Sequence, residues 1–232
     1  LGRVVVMTGA GISAASGIPT FRGSGGLYNG VSVEELATPE GFKRNPQLVW
    51  EWYAYRIGLV RAALPNPAHA ALAQWASLAQ SFVLVTTNVD DLHERAGSLQ
   101  VHHLHGTILH GRCVETGAIE PLPDPLSLEG GLPFSQAGSL LRPDVVWFRE
   151  RPIASAYMAL RDSIPEADLF VEVGHSGVVH YGFSDMAIRA GALMLRINPD
   201  SGHLDRFPNV VHWREGAEAS LPALVSRLRE LT

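Results

Sequence analysis

The stretch RVVVMTGAGISAASGIPTFRG (residues 3–23) decides the fold that this sequence predicts. Its first seven residues, RVVVMTG, contain an apolar and largely β-branched run, as in a strand that a parallel sheet buries on both faces. The glycine-rich turn that follows can present backbone N–H groups to a phosphate. Tight strand-to-helix turns also use glycine for steric reasons alone, and the third glycine of the usual dinucleotide fingerprint is missing at its spacing. The turn alone therefore leaves ligand binding open.

Further apolar runs along the chain predict more buried parallel strands: SFVLVTTN (81–88), DLFVEVG (168–174), ALMLRIN (192–198) and NVVHW (209–213). Helical patterns lie between or after them, at PAHAALAQWASLAQ (67–80) and LPALVSRLREL (221–231). Strands that alternate with helices predict an α/β fold, a Rossmann-like parallel sheet with helices on both faces. Ligands of such sheets bind at the carboxyl ends of the strands.

Two stretches do not fit this alternation. Residues 24–60 hold a glycine-rich loop and an aromatic helix, and residues 111–145 are rich in proline and glycine with little periodicity. We expect these two insertions to pack together as a smaller domain. The Rossmann-like domain then comprises residues 1–23, 61–110 and 146–232.

Composition excludes several classes of function. The chain has 232 residues, a net charge of −5 and a pI of about 6.0, so no electrostatic basis for nucleic-acid binding exists. No apolar run approaches the roughly 20 residues of a membrane helix, and the opening LGRVVVM looks like a core strand rather than a signal peptide. The single cysteine, Cys113, fits a reducing compartment. We therefore expect a cytoplasmic protein without a membrane partner.

Several longer motifs occur in one order over nearly the whole chain. They are GAGIS, SGIP and FRG within 9–23, TTNVDDLHERAG (86–97), HLHGTILHGRC (103–113), VVWFRE (145–150), VGHSG (173–177) and INPD (197–200). Together they resemble the sirtuins, the NAD-dependent protein lysine deacylases. The resemblance implies NAD as the cofactor and acylated-lysine proteins or peptides as partners.

Sirtuins cleave the nicotinamide–ribose bond of NAD and transfer the acyl group of an acyl-lysine to ADP-ribose, with a histidine as base. By its position in LHGT, that base would be His105. Imidazole suits the role because its ordinary pKa of about 6.5 leaves it largely neutral near pH 7. Spacing alone favours a histidine that only satisfies the core, and it is the motif that points to a base.

The resemblance also implies the cofactor contacts. Asn88 would orient the nicotinamide ribose, Asp90 would bond the carboxamide, and both count with His105 as catalytic. Asp90 could instead cap the next helix, although Asp91 can serve as that cap. Arg22 would meet the cofactor's anionic and ribose groups, or form a surface salt bridge. The full predicted set is Gly9, Ala10, Gly11, Ser13, Ala14, Phe21, Arg22, Thr87, Asn88, Asp90, His105, Gly174, His175, Ser176, Asn198, Asp200 and Ala217.

The aromatic helix contains WEWYAYR (50–56), in which Tyr53 and Arg56 are three residues apart and so share a face. A phenol beside a guanidinium would suit a carboxylate. In the sirtuins a Tyr-x-x-Arg on this helix marks the subgroup that removes succinyl, malonyl or glutaryl groups. The alternative is an arginine that extends to solvent beside structural aromatics. The family's substrate-pairing segment corresponds to Val146, Trp147 and Phe148.

The sequence departs from the family most clearly at the zinc module. Most sirtuins hold zinc with four cysteines, whereas this chain has only Cys113, with Thr116 where its near partner would be. We expect no zinc and no other metal; a site of His110 and Cys113 with a further histidine is the alternative. Thr87, His175 and Arg149 replace the family's Gln, Thr and Gly.

The sequence thus predicts an NAD-dependent deacylase that prefers acidic acyl chains over acetyl. Two alternatives use the same cofactor site. One is NAD hydrolysis or ADP-ribosyl transfer, and the other is a sensor of NAD or ADP-ribose without turnover. The sequence leaves the oligomeric state open, and a monomer is compatible with it.

Overall fold

A computed structural model describes residues 2–20, 27–28, 31–175 and 181–231 of the chain. Six parallel strands form the main sheet, in the order β11-β10-β9-β1-β4-β5. Their bounds are β1 Arg3–Thr8, β4 Ser81–Thr86, β5 Val101–His103, β9 Leu169–Val173, β10 Leu193–Ile197 and β11 Val210–Trp213. Five of the six strands were predicted. The edge strand β5 was not, because its histidines obscure the apolar pattern.

Helices cover both faces of this sheet, which confirms the predicted fold class. Alternate residues of β1 point to opposite faces: Val4 and Val6 pack beneath α4 (Pro67–Ala76) and α8 (Ala217–Glu230). Val5 and Met7 pack beneath α6 (Ala154–Ser163) and α7 (Phe183–Ala190). Short 3₁₀ helices occur at Ala10–Ser16, Ile164–Glu166 and His203–Arg206.

A smaller unit is built from the two insertions. It holds an antiparallel sheet of order β7-β6-β8, with strands β6 Gly106–Cys113, β7 Ile119–Pro121 and β8 Leu141–Val145. Its helices are α1 Val33–Leu36, α2 Pro39–Arg44 and α3 Pro46–Ala62, preceded by the two-residue strands β2 Leu27–Tyr28 and β3 Val31–Ser32. Residues of α3 and of this sheet share one apolar core. The predicted divisions at 60 and 110 fall inside α3 and β6.

Local sequence explains where the long helices start. Asn45 precedes α3 and Asn66 precedes α4, and each asparagine side chain accepts a hydrogen bond from a first-turn amide. A proline follows each cap, at a position where a helix needs no N–H donor. Among the described residues no helix is long and apolar enough to cross a membrane.

Candidate active site

The glycine-rich turn after β1 lies against the turn after β9. The amides of Gly9 and Gly11 donate to the carbonyls of Val173 and Gly174, each over 2.9 Å. A Cβ atom on Gly11 would lie 2.7 Å from the Gly174 Cα atom, so a side chain has no room there. Two of the amides expected to face a ligand therefore hold the two turns together. Ala10, Ser13 and Ala14 continue into the 3₁₀ helix that begins at this turn.

A buried polar network joins this turn to the carboxyl end of β4. The Ser13 hydroxyl donates to the carboxylate of Asp90 over 3.0 Å, and the Asn88 amide donates to the Ser13 oxygen over 3.1 Å. All three side chains are buried. Ser13, Asn88 and Asp90 were predicted separately, and the fold brings them together within hydrogen-bonding distance.

Asp90 also caps the short helix α5 (Leu92–Arg95). Its second carboxylate oxygen accepts the Leu92 amide over 3.2 Å, while Asp91 makes no side-chain cap. The sequence suggested that Asp91 could cap this helix in place of Asp90. In the structure Asp90 is the residue whose side chain caps it. Burial raises the pKa of Asp90, and the hydrogen bonds from Leu92 and Ser13 oppose that rise.

His105 lies between β5 and β6, beside the Thr87 backbone. Its Nδ1 atom is 2.9 Å from the Thr87 carbonyl oxygen, and its Nε2 atom is 2.8 Å from the Tyr181 hydroxyl. A carbonyl oxygen only accepts, so Nδ1 carries the proton and Nε2 carries the lone pair. Burial lowers the pKa of His105 to about 4, and the positive charge that His175 can carry acts in the same direction. The imidazole is therefore a neutral base at physiological pH.

His103 forms a hydrogen bond with the backbone of Asn88, a contact that the sequence did not suggest. Its ring nitrogens lie 3.1 Å from the Asn88 carbonyl oxygen and 2.8 Å from a Glu94 carboxylate oxygen. Both partners accept, so both nitrogens donate. Burial alone would lower the pKa of His103, but the bond and charge of Glu94 outweigh it and raise the pKa. The raised pKa favours the protonated form of the His103 ring next to the Asn88–Asp90 pair.

Four further predicted cofactor residues follow the ends of two strands: Gly174 and His175 follow β9, and Asn198 and Asp200 follow β10. The Asn198 amide donates to the His175 carbonyl over 2.8 Å, and its side-chain oxygen accepts the Asp200 amide over 3.0 Å. Ala217 is the first residue of helix α8, which follows β11 in the chain, and its side chain is buried. Three predicted residues, Phe21, Arg22 and Ser176, lie outside the described residues.

Tyr53 and Arg56 lie on one face of α3, as predicted. The indole N–H of Trp147 donates to the Tyr53 hydroxyl over 2.9 Å. The Arg56 guanidinium carbon lies 4.7 Å from the ring centre of Trp52 and 5.4 Å from that of Tyr53. The α3 wall and the Trp147 segment therefore meet at this phenol.

Residues 146–150, which include the segment that corresponds to the family's substrate-pairing residues, follow β8 and end in a turn. The amides of Val146 and Phe148 donate to the carbonyls of His105 and Ala37, over 2.8 and 2.9 Å. The Trp147 amide donates to Glu150 over 2.8 Å. All three amides thus donate to groups of the chain itself. The backbone groups that remain for a bound peptide here are carbonyl oxygens, which would accept hydrogen bonds from the amides of the peptide.

Arg142 holds this turn in shape. Its guanidinium pairs with Glu150 at 2.6 Å and lies 3.5 Å from the ring centre of Trp147. Arg149 adopts a left-handed backbone with φ of 71°, the conformation in which glycine is favoured. Its side chain is 78% exposed, with Glu40 at 3.9 Å. The Arg149 side chain therefore faces solvent.

The zinc module does not fit a zinc ion. Cys113 is 3% exposed, and its sulfur accepts the Thr116 amide over 3.5 Å. Leu122 and Leu141 pack around it in the core of the smaller unit. Across the described ranges, no group of three or more His, Cys, Asp or Glu side chains could hold a metal. Four thiolates cannot come from one cysteine.

The carboxyl ends of β1, β4, β9 and β10 together suit a dinucleotide. They bring glycine turns without room for side chains next to buried Asn, Asp and Ser groups, at the strand ends where open α/β sheets bind ligands. Beside this crevice lies the neutral imidazole of His105, which carries its lone pair on Nε2.

Comparison with known proteins agrees with this geometry. A model of the Sir2 family matches residues 9–181. An NAD-dependent protein deacylase of Aquifex aeolicus (strain VF5) is 43% identical over 237 residues, which cover 98% of this chain and 96% of the relative. One from Mycobacterium tuberculosis (strain ATCC 25618 / H37Rv) is 40% identical, with 99% of both chains covered.

A solved structure described as a Sir2 homolog–NAD complex superposes with a TM-score of 0.92 at 39% identity, covering 99% of this chain and 90% of that one. The match to the family spans well over half of the chain, and the relatives match along nearly their whole lengths. This chain therefore belongs to the Sir2 family, the sirtuins, and is an NAD-dependent protein deacylase.

Proposed function

We propose that this enzyme removes acyl groups that end in a carboxylate, namely succinyl, malonyl and glutaryl, from protein lysines in preference to acetyl. The observation that carries the proposal is the pair of Tyr53 and Arg56, side by side on α3 next to the Trp147 turn. The proposed partners are acylated-lysine proteins or peptides.

The surroundings of Arg56 favour an anionic acyl chain. Two aromatic rings flank the guanidinium, and burial lowers the pKa of Arg56, opposed by the Tyr53 phenol and by the charge of Asp90. A cation held in such an apolar wall gains most from a carboxylate that it can bond with two N–H groups. Acetyl offers no such group.

Tyr53 adds a second donor. An indole N–H only donates, so the phenol oxygen accepts from Trp147, which fixes the orientation of the phenol. The phenol keeps its own proton for a further acceptor, because burial raises the pKa of Tyr53. A hydrogen bond to a charged group contributes roughly 1.5–3 kcal/mol, enough to separate succinyl from acetyl by tenfold or more.

The catalytic roles follow from the same crevice. NAD, when bound, supplies the ADP-ribose that accepts the acyl group. His105 takes a proton from a ribose hydroxyl at Nε2, since Nδ1–H is held by Thr87. Asn88 orients the nicotinamide ribose and Asp90 bonds the carboxamide, while Ser13 fixes both. His175, Asn198, Asp200 and Ala217 contribute to the adenosine side of the site.

A single peptide made with acetyl-lysine and with succinyl-lysine tests the proposal, by mass spectrometry with and without NAD. We expect NAD-dependent loss of succinyl that is faster than loss of acetyl. Removal of acetyl alone would leave the deacylase intact and refute the acidic preference. Consumption of NAD with neither acyl group removed would point to hydrolysis or ADP-ribosyl transfer.

The single cysteine, buried and without a disulfide partner among the described residues, is compatible with the cytoplasm, which we propose as the location. Fractionation of the native host, with detection of the chain in the soluble cytoplasmic fraction, tests this.

A further inference from the structure

Tyr181 contacts the candidate base, although no motif in the sequence pointed to it. Its hydroxyl lies 2.8 Å from Nε2 of His105, across 76 residues of chain. Its ring centre lies 5.9 Å from that of His105 and 6.0 Å from that of Phe183, which is buried. Tyr157 of helix α6 also packs on Phe183, with 5.0 Å between ring centres. The aromatic contacts thus hold the phenol in position against the imidazole.

The direction of this hydrogen bond follows from the tautomer. Nδ1–H of His105 donates to Thr87, so Nε2 accepts and the Tyr181 O–H donates. Burial raises the pKa of Tyr181, so the phenol keeps the proton that it donates.

An imidazole nitrogen has one lone pair and accepts one hydrogen bond at a time. A ribose hydroxyl that gives its proton to Nε2 needs the same lone pair. The Tyr181 hydroxyl and the ribose hydroxyl are therefore mutually exclusive partners of His105. We propose that Tyr181 is a latch on the base, which covers Nε2 in the NAD-free enzyme and is displaced when the cofactor binds.

The latch rests on the role of His105 proposed above, and it has two consequences that need no acyl substrate. First, NAD must break one neutral hydrogen bond to reach the base, which corresponds to about two- to tenfold in affinity. Second, a donor at Nε2 favours the neutral imidazole. The other groups that act on His105 are the Thr87 carbonyl, which favours the protonated ring, and His175, which disfavours it. Removal of the hydroxyl should therefore raise the pKa of His105.

The substitution Tyr181→Phe tests the latch, because it keeps the ring and removes only the donor. Tyr157→Phe is the matched control, since Tyr157 packs on the same Phe183. We expect Tyr181→Phe to raise the His105 pKa, followed by NMR in the NAD-free protein. Calorimetry should show NAD binding about two- to tenfold tighter, and kcat should change less than twofold. The control should change none of these.

Other outcomes would overturn the proposal. An unchanged His105 pKa with unchanged NAD affinity would mean that the contact does not cover the base. Weaker NAD binding would mean that Tyr181 holds the cofactor. A kcat lowered tenfold or more at unchanged NAD affinity would make Tyr181 a proton relay. A failure of the proposed role of His105 can be told apart from a failure of the latch. If His105 is not the base, His105→Asn keeps its turnover. The pKa and NAD-affinity measurements on Tyr181→Phe still show whether the phenol covers Nε2.

Discussion

The Nδ1 atom of His105 lies 2.9 Å from the carbonyl oxygen of Thr87. Thr87 in turn donates its own amide to the Thr8 carbonyl over 2.9 Å, so the carbonyl that orients the imidazole is tied to the central strand of the sheet. The tautomer of the base is thus fixed by the fold. Several testable consequences depend on this and on the neighbouring contacts.

His105→Asn should lower kcat for deacylation by about 10²- to 10⁴-fold, the usual contribution of a general base. The amide can still donate to Thr87, so the fold and NAD binding should persist. Steady-state kinetics with NAD calorimetry measures both. His102→Asn, in the neighbouring strand β5, serves as the control and should keep its turnover. Near-normal turnover of the His105 variant would exclude it as the base.

The value of kcat/KM should not fall through protonation of His105 over an unusually wide pH range. Burial lowers the pKa of His105 to about 4, so the free imidazole is neutral, and able to accept a proton, at every pH above that value. We expect no loss of kcat/KM from this group between pH 8 and about pH 5. A limb near 6.5, the ordinary histidine value, would contradict the burial argument.

Arg56→Met should lower desuccinylation at least tenfold while deacetylation changes less than threefold, because only the acidic chain needs the cation. Competition between the two acylated peptides, followed by mass spectrometry, measures the ratio directly. Arg61→Met removes a charge from the same helix, where Arg61 pairs with Asp124, and should leave the ratio unchanged. Equal losses of both activities in the Arg56 variant would assign the residue a structural role.

The free energy of unfolding should fall as the pH drops below about 6.5. His69 and His93 are buried with ring centres 5.0 Å apart, and burial lowers their pKa values to about 4 and about 3. Below pH 6.5 the unfolded chain binds protons that the folded chain does not, so the stability present above 6.5 is lost toward pH 4. Each histidine contributes up to about 1.4 kcal/mol per pH unit in this window.

Denaturant unfolding at pH 7, 6 and 5 measures this slope. His93→Gln removes one of the two histidines. It should reduce the slope of the unfolding free energy against pH by up to about 1.4 kcal/mol per pH unit, the contribution of one proton. A free energy of unfolding that stays constant from pH 7 to pH 5 would show that the two rings are not held neutral.

Arg149→Gly should stabilise the fold, because φ of 71° is costly for a residue with a Cβ atom. That cost is roughly 1–2 kcal/mol, and the greater freedom of glycine in the unfolded chain offsets part of it. We expect a net gain of about 0.5–1 kcal/mol by denaturant unfolding. Arg151→Gly, two residues on and without a positive φ, should give no gain. Destabilisation by Arg149→Gly would mean that the Glu40 contact outweighs the backbone cost.

Chelators should not affect the enzyme, since the Cys113 region has an apolar core in place of a zinc site. We expect the same melting temperature and kcat before and after prolonged dialysis against EDTA, with elemental analysis finding well under one zinc per chain. One tightly held zinc per chain would refute this, and would require ligands that we have not identified.

Some local predictions failed for identifiable reasons. The histidines of β5 and the prolines and glycines around β6 and β8 hide the strand patterns, because these strands are ordered by pairing with distant partners rather than by their own periodicity. The turn at residues 146–150 likewise depends on a partner outside it, because Arg142 pairs with Glu150 and Glu150 accepts the Trp147 amide.

The sequence by itself determined the α/β class, five of the six parallel strands, and the motifs that carry Asn88, Asp90 and His105. It could do so because apolar period and turn chemistry are local properties of the chain. Only the tertiary structure decided which nitrogen of His105 carries the lone pair and which group donates to it. Those answers depend on contacts such as His105 with Tyr181, and Tyr53 with Trp147, 76 and 94 residues apart. Parallel strands bring His105 and Tyr181 together at the carboxyl ends of the main sheet, whereas the packing of α3 on the smaller sheet brings Tyr53 to Trp147. No local pattern in the sequence records either contact.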